Sequence, residues 1–336
     1  MLNVCERIIT EYTSKRAENP ETAIIICGPT ASGKTGVSLE LAKRLDGEIV
    51  SCDSMQIYKY MDIGTAKADA EEQKISPHHM IDVVYPWENY SVFQYKNAAE
   101  KCIRDILERG KVPVIVGGTG LYVNSLIDNR KYSENGSGDE ALEYIYDEEN
   151  LSRCCELYAG NQFEELHNIL KKVDPDAAQV IHQNNSKRVF RALELYFTTG
   201  KTQKVRNEES VTVPSEFSYL VYCLCPDREK LYEKINRRVD IMMENGLFEE
   251  AVSVYKLCEN NISGDFYPLG TTALQAIGYK ELIPLVEKYI ENGAVDEEEL
   301  SAATDLIKQN SRHYAKRQIT WFKKTPGVNM ITEIEL

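Results

Sequence analysis

The 336-residue sequence lacks several features that would place it in other protein classes. No apolar run approaches the ~18 residues of a membrane-spanning helix, and the first residues lack the apolar segment of a signal peptide, so we expect a cytoplasmic protein without a membrane partner. The nine cysteines include no C-x-x-C pair, and the remaining three histidines show no spacing that would complete a metal site with His78 and His79. We therefore expect reduced, buried thiols and a loop or core role for the two histidines.

Positive charge is also in deficit, because 39 Lys and Arg face 53 Asp and Glu, for a net charge of −14. Such a balance taken alone argues against a nucleic-acid partner, whose phosphates bind Lys and Arg. The basic residues are unevenly placed, however: residues 187–206 hold six with one acid, and residues 308–324 hold six with no acid. An acidic protein with two basic patches can still bind RNA.

Residues 28–35 read Gly-Pro-Thr-Ala-Ser-Gly-Lys-Thr, after the apolar run 22–27 and before a helical pattern. This order predicts a phosphate-binding P-loop, in which the glycines permit the turn, Lys34 reaches phosphate oxygens and the Thr35 hydroxyl binds Mg²⁺. An ordinary glycine-rich turn is the alternative, and the loop does not identify the phosphate compound. The predicted diphosphate or nucleotide site comprises Gly28, Pro29, Thr30, Ala31, Ser32, Gly33, Lys34 and Thr35.

Apolar β-branched runs alternate with helical patterns along the chain, which predicts a parallel sheet covered by helices on both faces. The predicted strands are 22–27, 48–52, 80–84, 112–116 and 218–224, and the predicted helices are 33–45, 91–109, 119–127 and 227–245, with a further helical stripe at 2–17.

Between residues 128 and 210 the strand pattern is replaced by helical patterns. These fall at 139–147, 150–158, 162–171, 174–182 and 185–199. We therefore predict an α/β fold: a P-loop NTPase-like parallel sheet core with C-terminal helices, formed by 1–127 and 208–336, and an all-helical insertion domain at 128–207.

Polar residues follow two further strands, where ligands of parallel sheets bind. Asp53 directly follows the second strand and could be a helix cap, a partner of Mg²⁺ or a general base. Thr119 lies in a Gly-Gly-Thr-Gly turn after the fourth strand, which either binds a second phosphate or is purely structural. Arg237 or Arg238, on the helix after the fifth strand, could clamp the phosphates or simply be solvated.

Beyond the P-loop, the chain resembles the bacterial tRNA dimethylallyltransferases, also called tRNA isopentenyltransferases. The resemblance spans about residues 22–325 in the order of that family. The segments that carry it are 28–35, 53–58, 61–67, 77–83, 117–122, 173–188, 191–201, 276–281 and 314–322. Three features depart from the family pattern: about twenty residues precede the first strand, position 251 is alanine, and the loop at 261–272 is irregular.

The resemblance implies transfer of a dimethylallyl group from dimethylallyl diphosphate to the exocyclic amine of the adenosine 3′ of the anticodon in tRNA. It implies Asp53 as the general base, Thr35 as the ligand of the cofactor Mg²⁺ and Arg238 as a catalytic contact to the diphosphate. The target base is flipped out, the helical insertion grips the anticodon stem-loop, residues 308–324 add phosphate contacts, and we expect a monomer. The implied tRNA-binding residues are Asp53, Ser54, Met55, Gln56, Thr119, Lys187, Arg188, Val189, Phe190 and Arg191.

Three other functions share parts of this pattern. A P-loop nucleotide kinase would use Arg237 or Arg238 as a lid, but it needs neither basic patch. An adenylate isopentenyltransferase would use the same donor with a free nucleotide acceptor, which residues 187–191 and 308–324 argue against. An RNA-binding module with an inactive P-loop is disfavoured because Lys34, Thr35 and Asp53 are all present.

Overall fold

The computed structural model describes residues 2–128, 147–209, 215–262 and 267–332. The predicted helix 139–147 lies almost wholly outside them. The chain divides into two compact units, one formed by Met1–Ile127 with Ser215–Leu336 and the other by Asp128–Pro214. In the described parts of the chain, no helix is both long and apolar enough to cross a membrane.

The first unit contains a six-stranded sheet in which every neighbouring pair is parallel. Its strands are β1 (Thr22–Cys27), β2 (Gly47–Ser51), β3 (His78–His79), β4 (Val112–Gly117), β5 (Ser218–Leu224) and β6 (Val328–Ile331), in the order β3-β2-β4-β1-β5-β6. All six residues of β1 are buried, as a central strand covered on both faces requires. The parallel α/β core predicted from the sequence is confirmed.

Alternate residues of β1 enter two different cores, because successive strand side chains point to opposite faces. Ile24 and Ile26 pack with residues of the first two helices, whereas Ala23 and Ile25 pack with residues of the fourth and fifth. The helices of this unit are α1 (Leu2–Glu18), α2 (Lys34–Leu45), α3 (Ala70–Ile75), α4 (Val92–Glu108), α5 (Gly120–Ile127), α11 (Arg228–Glu244), α12 (Leu247–Asn261), α13 (Ile283–Asn292) and α14 (Glu297–Phe322), with 3₁₀ turns at Pro268–Gly270 and Ala273–Gln275.

The sheet departs from the prediction at its two edges. The predicted strand 80–84 is wrong: β3 is only His78–His79, and Met80 and Asp82 have φ angles of 62° and 54°, which an extended strand cannot contain. The edge strand β6 was not predicted. His79 lies in β3 and contacts the buried Glu48 carboxylate, with 2.8 Å between His79 Nε2 and Glu48 Oε2, which is a structural role.

The described part of the second unit is helical. Its helices are α6 (Glu148–Ala159), α7 (Phe163–Val173), α8 (Pro175–Val180), α9 (Ser186–Thr199) and α10 (Gln203–Glu209), the last of which was not predicted. Asp174 joins two of them, because its carboxylate accepts hydrogen bonds from the amides of Ala177 at 3.1 Å and Gln203 at 2.7 Å. Gly200 ends α9 with a φ of 67°, a left-handed conformation that glycine adopts without strain.

Candidate active site

The P-loop forms the turn between β1 and α2. Gly28 has a φ of 143°, and a Cβ there would lie 2.5 Å from the Leu224 carbonyl oxygen, so the turn requires glycine. The Lys34 ammonium folds back over the loop and donates to the carbonyl oxygens of Gly28 at 3.0 Å and Pro29 at 2.7 Å. Burial, and secondarily the nearby Arg238 guanidinium, lower the pKa of Lys34 to about 8. The loop is therefore a cationic site that gains from an incoming anion.

A cavity of about 500 Å³ opens beside this loop at the carboxyl ends of the strands. Its lining includes eight residues that the sequence predicted for the site: Thr30, Lys34, Thr35, Asp53, Ser54, Met55, Gln56 and Arg238. The fold thus brings a P-loop cation, an arginine and a carboxylate to one cavity, which is large enough for a small organic diphosphate beside part of a base.

Arg238 and Arg237 are distinguished by the direction in which α11 presents them. Arg238 lines the cavity and donates from Nη1 to the Thr30 hydroxyl at 3.3 Å, whereas Arg237 is exposed. Burial lowers the pKa of Arg238, and the charge of Asp53 opposes that shift. Arg238 therefore faces the P-loop, and its contact with a diphosphate stays a prediction.

Asp53 begins a tight turn after β2. Its Oδ1 accepts a hydrogen bond from the Met55 amide at 2.9 Å, and its other carboxylate oxygen has no hydrogen-bond partner among the described residues. The next amide, that of Ser54, donates to the Thr119 hydroxyl at 2.9 Å. Thr119 thus ties the glycine turn after β4 to the turn that carries Asp53, and its contact with tRNA stays a prediction.

The first two glycines of this turn have no room for side chains. A Cβ at Gly117 would lie 1.9 Å from the Cys52 carbonyl oxygen, and one at Gly118 would lie 2.3 Å from Nε2 of Gln318. Both distances are far below van der Waals contact, so glycine at 117 permits the approach of the turn that carries Asp53, and glycine at 118 permits the approach of Gln318 from α14.

Gln56 lines the cavity, but both ends of its amide already have partners in the protein. Its oxygen accepts from the Ser51 hydroxyl at 2.8 Å, and its nitrogen donates to the carbonyls of Thr65 at 3.2 Å and Ala66 at 3.1 Å. These contacts give Gln56 a supporting role for the neighbouring loop. Its contact with tRNA stays a prediction.

Gln318 of α14 was not predicted as a site residue, although it lies in segment 314–322 of the resemblance. Its side-chain oxygen accepts from the Thr30 amide at 2.9 Å, and its nitrogen donates to the Gly118 carbonyl at 2.9 Å. With 5% of its surface exposed, this amide links the P-loop to the second glycine turn. The sequence offers no signal for these contacts, since the partners lie hundreds of residues apart.

The basic stretch 308–324 is partly engaged within the protein. Lys308 pairs with Asp240, with 2.6 Å between Nζ and Oδ1, and Arg312 donates to the Asn236 side chain. Arg317 lines the cavity, and its guanidinium lies 5.7 Å from the centre of the Tyr314 ring. Only part of this stretch is therefore available for the predicted phosphate contacts.

The predicted tRNA-binding residues of the second unit lie on α9. Lys187, Arg188 and Arg191 are exposed, and Arg191 pairs with Glu194 one turn along the helix. Val189 is fully buried in the core of the unit, so its side chain cannot belong to a contact surface. Phe190 is half-buried, with its ring 4.8 Å from that of Tyr158. The alternation follows from the helical period, which turns residue 189 inward.

The oxygen donors of the cavity fit a magnesium ion that is coordinated mainly by a bound phosphate compound and water. The described residues contain no group of three His, Cys, Asp or Glu that could enclose a metal. Mg²⁺ commonly keeps several waters and binds through one or two protein oxygens plus substrate phosphates. The Thr35 hydroxyl and the Asp53 carboxylate both line the cavity and fit that pattern.

Comparisons with known proteins agree over most of the chain. The family profile described as IPP transferase matches residues 56–325, and that described as isopentenyl transferase matches residues 21–82. A tRNA dimethylallyltransferase of Acetivibrio thermocellus is 45% identical over 315 residues, which cover 94% of this chain and 93% of that protein.

Two solved structures are also similar. The full-length tRNA isopentenylpyrophosphate transferase of Bacillus halodurans is 40% identical with a TM-score of 0.59, over 94% of this chain and 92% of that one. A eukaryotic dimethylallyltransferase acting on tRNA is 29% identical with a TM-score of 0.72, over 93% of this chain and 74% of that one.

Proposed function

Because this chain belongs to the IPP transferase family, we propose that it is a tRNA dimethylallyltransferase. It transfers the five-carbon group of dimethylallyl diphosphate to the exocyclic amine of the adenosine 3′ of the anticodon in tRNA and releases diphosphate. One observation carries the proposal: Lys34, Arg238 and the Asp53 carboxylate line a single cavity at the carboxyl end of the sheet.

The cationic side of the cavity suits the leaving group. As the bond between the allylic carbon and the diphosphate oxygen breaks, its electron pair moves to the diphosphate. Lys34, Arg238 and the P-loop amides stabilise that growing negative charge, and removal of one such preorganised donor typically costs about 10²–10³ in rate. A Mg²⁺ ion, which Thr35 would help to hold, supplies further charge neutralisation when bound.

The carboxylate side of the cavity suits the acceptor. The amine nitrogen of adenine forms the new bond to carbon and must lose one proton, which Asp53 accepts through its carboxylate. A base inside a stacked anticodon loop cannot reach this cavity, so the nucleotide is flipped out of the stack. Ser54 and Met55 follow Asp53 in the lining, and we propose that they contact the flipped base.

The helical second unit supplies a basic surface for the anticodon stem-loop. Lys187 and Arg188 are exposed on α9, and phosphate contacts of such residues supply affinity and register rather than sequence readout. We also propose that the enzyme acts as a monomer. A tRNA substrate also supports a cytoplasmic location.

Substitution of Asp53 by asparagine tests the function. We expect tRNA affinity to stay within about twofold, because the shape is kept, and turnover with dimethylallyl diphosphate to fall about a hundredfold or more, because the proton acceptor is lost. Asp46→Asn, at an exposed carboxylate outside the cavity, is the matched control.

The acceptor distinguishes the alternatives in the same assay. Labelled dimethylallyl diphosphate is offered with total tRNA and, separately, with AMP. Label in tRNA alone supports the proposal, and label in AMP alone replaces it with an adenylate isopentenyltransferase. Phosphoryl transfer from Mg-ATP to a nucleotide, without prenyl transfer, would indicate a kinase.

A further inference from the structure

Residues 61–67, here called the wall loop, separate two cavities of the first unit. Gly64, Thr65 and Ala66 line the cavity that contains Lys34 and Asp53. Asp62, Ile63 and Lys67 line a neighbouring cavity of about 570 Å³. The resemblance singled out this segment, yet none of its residues has a role in the chemical steps above. Its position must nevertheless be fixed for the site to keep its shape.

A single carboxylate holds the start of the wall loop. In the first turn of α12, Glu250 accepts hydrogen bonds from three consecutive amides: Asp62 and Ile63 at 2.8 Å through Oε2, and Gly64 at 2.9 Å through Oε1. Bonds from amides to an ionised acceptor are roughly twice as strong as neutral ones. Three successive amides that converge on one anion fix the backbone conformation of that segment.

The same carboxylate also holds a second wall of the cavity. Its Oε1 accepts a hydrogen bond from the Tyr279 hydroxyl at 2.5 Å. Tyr279 is fully buried and packs on Gly64, where a Cβ would lie 2.5 Å from the ring. Its neighbours Ile277, Gly278 and Lys280 line the cavity. Glu250 thus joins two separate segments of the resemblance, 61–67 and 276–281, while it does not itself line the cavity.

The contacts then lead from the wall loop to the proposed base. The carbonyls of Thr65 and Ala66 accept hydrogen bonds from Gln56, which belongs to the turn that Asp53 begins. The P-loop side is held separately, since Thr30 contacts Gln318 and Arg238. Arg238 also lines the neighbouring cavity, but among the described residues no hydrogen bond joins it to the wall loop. The hydrogen bonds of the wall loop therefore lead to the acceptor side of the cavity rather than to the diphosphate side.

We propose that Glu250 is a positioning residue for the acceptor base and for Asp53, which it acts on through the wall loop and Gln56. The proposal rests on the proposed function for its kinetic readout. Loss of the carboxylate leaves three amides and the Tyr279 hydroxyl without their acceptor, and the wall loop then leaves its place. A misplacement of about 1 Å can cost on the order of 10² in rate.

The test compares Glu250→Ala, Glu250→Gln and Tyr279→Phe with the matched control Glu249→Gln, which changes an exposed carboxylate on the same helical turn. We expect Glu250→Ala to lower kcat with tRNA about 10–100-fold, and Glu250→Gln, which keeps one acceptor oxygen, to fall in between. The Kd of an unreactive thiolo analogue of dimethylallyl diphosphate should stay within about twofold of wild type. Hydrogen exchange should accelerate at the amides of Asp62, Ile63 and Gly64 but not in the P-loop.

Several results would overturn the role. One is wild-type kcat and KM in folded Glu250→Ala protein. Another is a loss of activity no larger than the loss of folded protein, accompanied by an equal weakening of binding of the diphosphate analogue. If Glu250→Ala does not fold, Glu250→Gln and Tyr279→Phe decide by the same two criteria. Wild-type protein that fails to prenylate tRNA would refute the proposed function instead, and the exchange of the three amides would still decide whether Glu250 holds the wall loop.

Discussion

The lowered pKa of Lys34 predicts that diphosphate binding weakens in mildly alkaline solution. With a pKa of about 8 in the free protein, half of the Lys34 side chains are charged at pH 8 and about a tenth at pH 9. A bound diphosphate favours the ammonium form and returns its pKa toward the ordinary value. The apparent Kd should therefore rise about twofold at pH 8 and about tenfold at pH 9, relative to pH 6.5.

Titration calorimetry with the thiolo-diphosphate analogue measures this effect directly. A phosphate monoester has its last pKa at about 6, so the ligand is largely ionised at pH 6.5 and almost fully ionised at pH 8 and 9. In buffers of different ionisation enthalpy, binding should take up about half a proton at pH 8 and close to one at pH 9. Lys34→Arg is the control, because an arginine there stays charged and should remove the pH dependence.

The lowered pKa of Lys34 also affects stability, but in the opposite direction: as pH rises, diphosphate binding weakens whereas the ligand-free fold gains stability. Lys34 has a lower pKa in the folded protein than its ordinary 10.5, so the ligand-free fold binds fewer protons than the unfolded chain between pH 8 and 10.5. The contribution of Lys34 to the free energy of unfolding therefore becomes more favourable as pH rises through that range. For the binding prediction, equal Kd values of the thiolo-diphosphate analogue at pH 7 and 9, with no proton uptake, would refute the lowered pKa of Lys34.

Three further predictions concern other parts of the molecule. Lys187→Ala with Arg188→Ala should weaken tRNA binding. It should also lower the slope of log K against log salt concentration by the equivalent of up to two phosphate contacts, and an unchanged slope would show that α9 does not contact the tRNA. Contacts from Arg109 hold the pKa of the buried Glu48 at about 2, so Glu48→Gln should lower the free energy of unfolding by about 3 kcal/mol at pH 7. In urea titrations that difference should shrink as pH falls from 4.5 toward 2, and a constant gap would contradict it. Gln318→Leu removes two buried hydrogen bonds and should cost about 2–3 kcal/mol of unfolding free energy and weaken analogue binding, and unaltered binding would exclude it as a support of the P-loop.

Strands and loops whose conformation is determined locally were predictable from the sequence. The runs 22–27 and 218–224 became β1 and β5 with the predicted bounds. All six residues of β1 and the last four of β5 are buried, and strands covered on both faces give a mostly apolar run that the sequence reveals. The run 80–84 failed for a reason that residue types do not reveal, namely the left-handed backbone at Met80 and Asp82. The short edge strand β6 has little apolar burial to mark it.

The residues of the candidate site also fall into a group that the sequence predicts and a group that it does not. Asp53 comes two residues after β2, and Lys34 and Thr35 begin the helix after the loop that follows β1, so the rule that ligands bind at strand ends predicts their shared cavity. Arg238 was distinguished from its neighbour by resemblance alone, and the direction of the helix now gives the reason. Gln318 and Glu250 act on backbone groups that are distant in sequence, so no local pattern could predict their partners.

The insertion of Asp128–Pro214 between α5 and β5 has a consequence for biosynthesis. β1 lies between β4 and β5, so one side of the most buried strand stays without its neighbour until the ribosome has made residues 218–224. The helical unit is contiguous and can complete its own core earlier, whereas the sheet closes late through a pairing distant in sequence, which is intrinsically slow. A released chain that ends just before β5 would therefore carry a folded insertion beside a sheet whose central strand still lacks one neighbour.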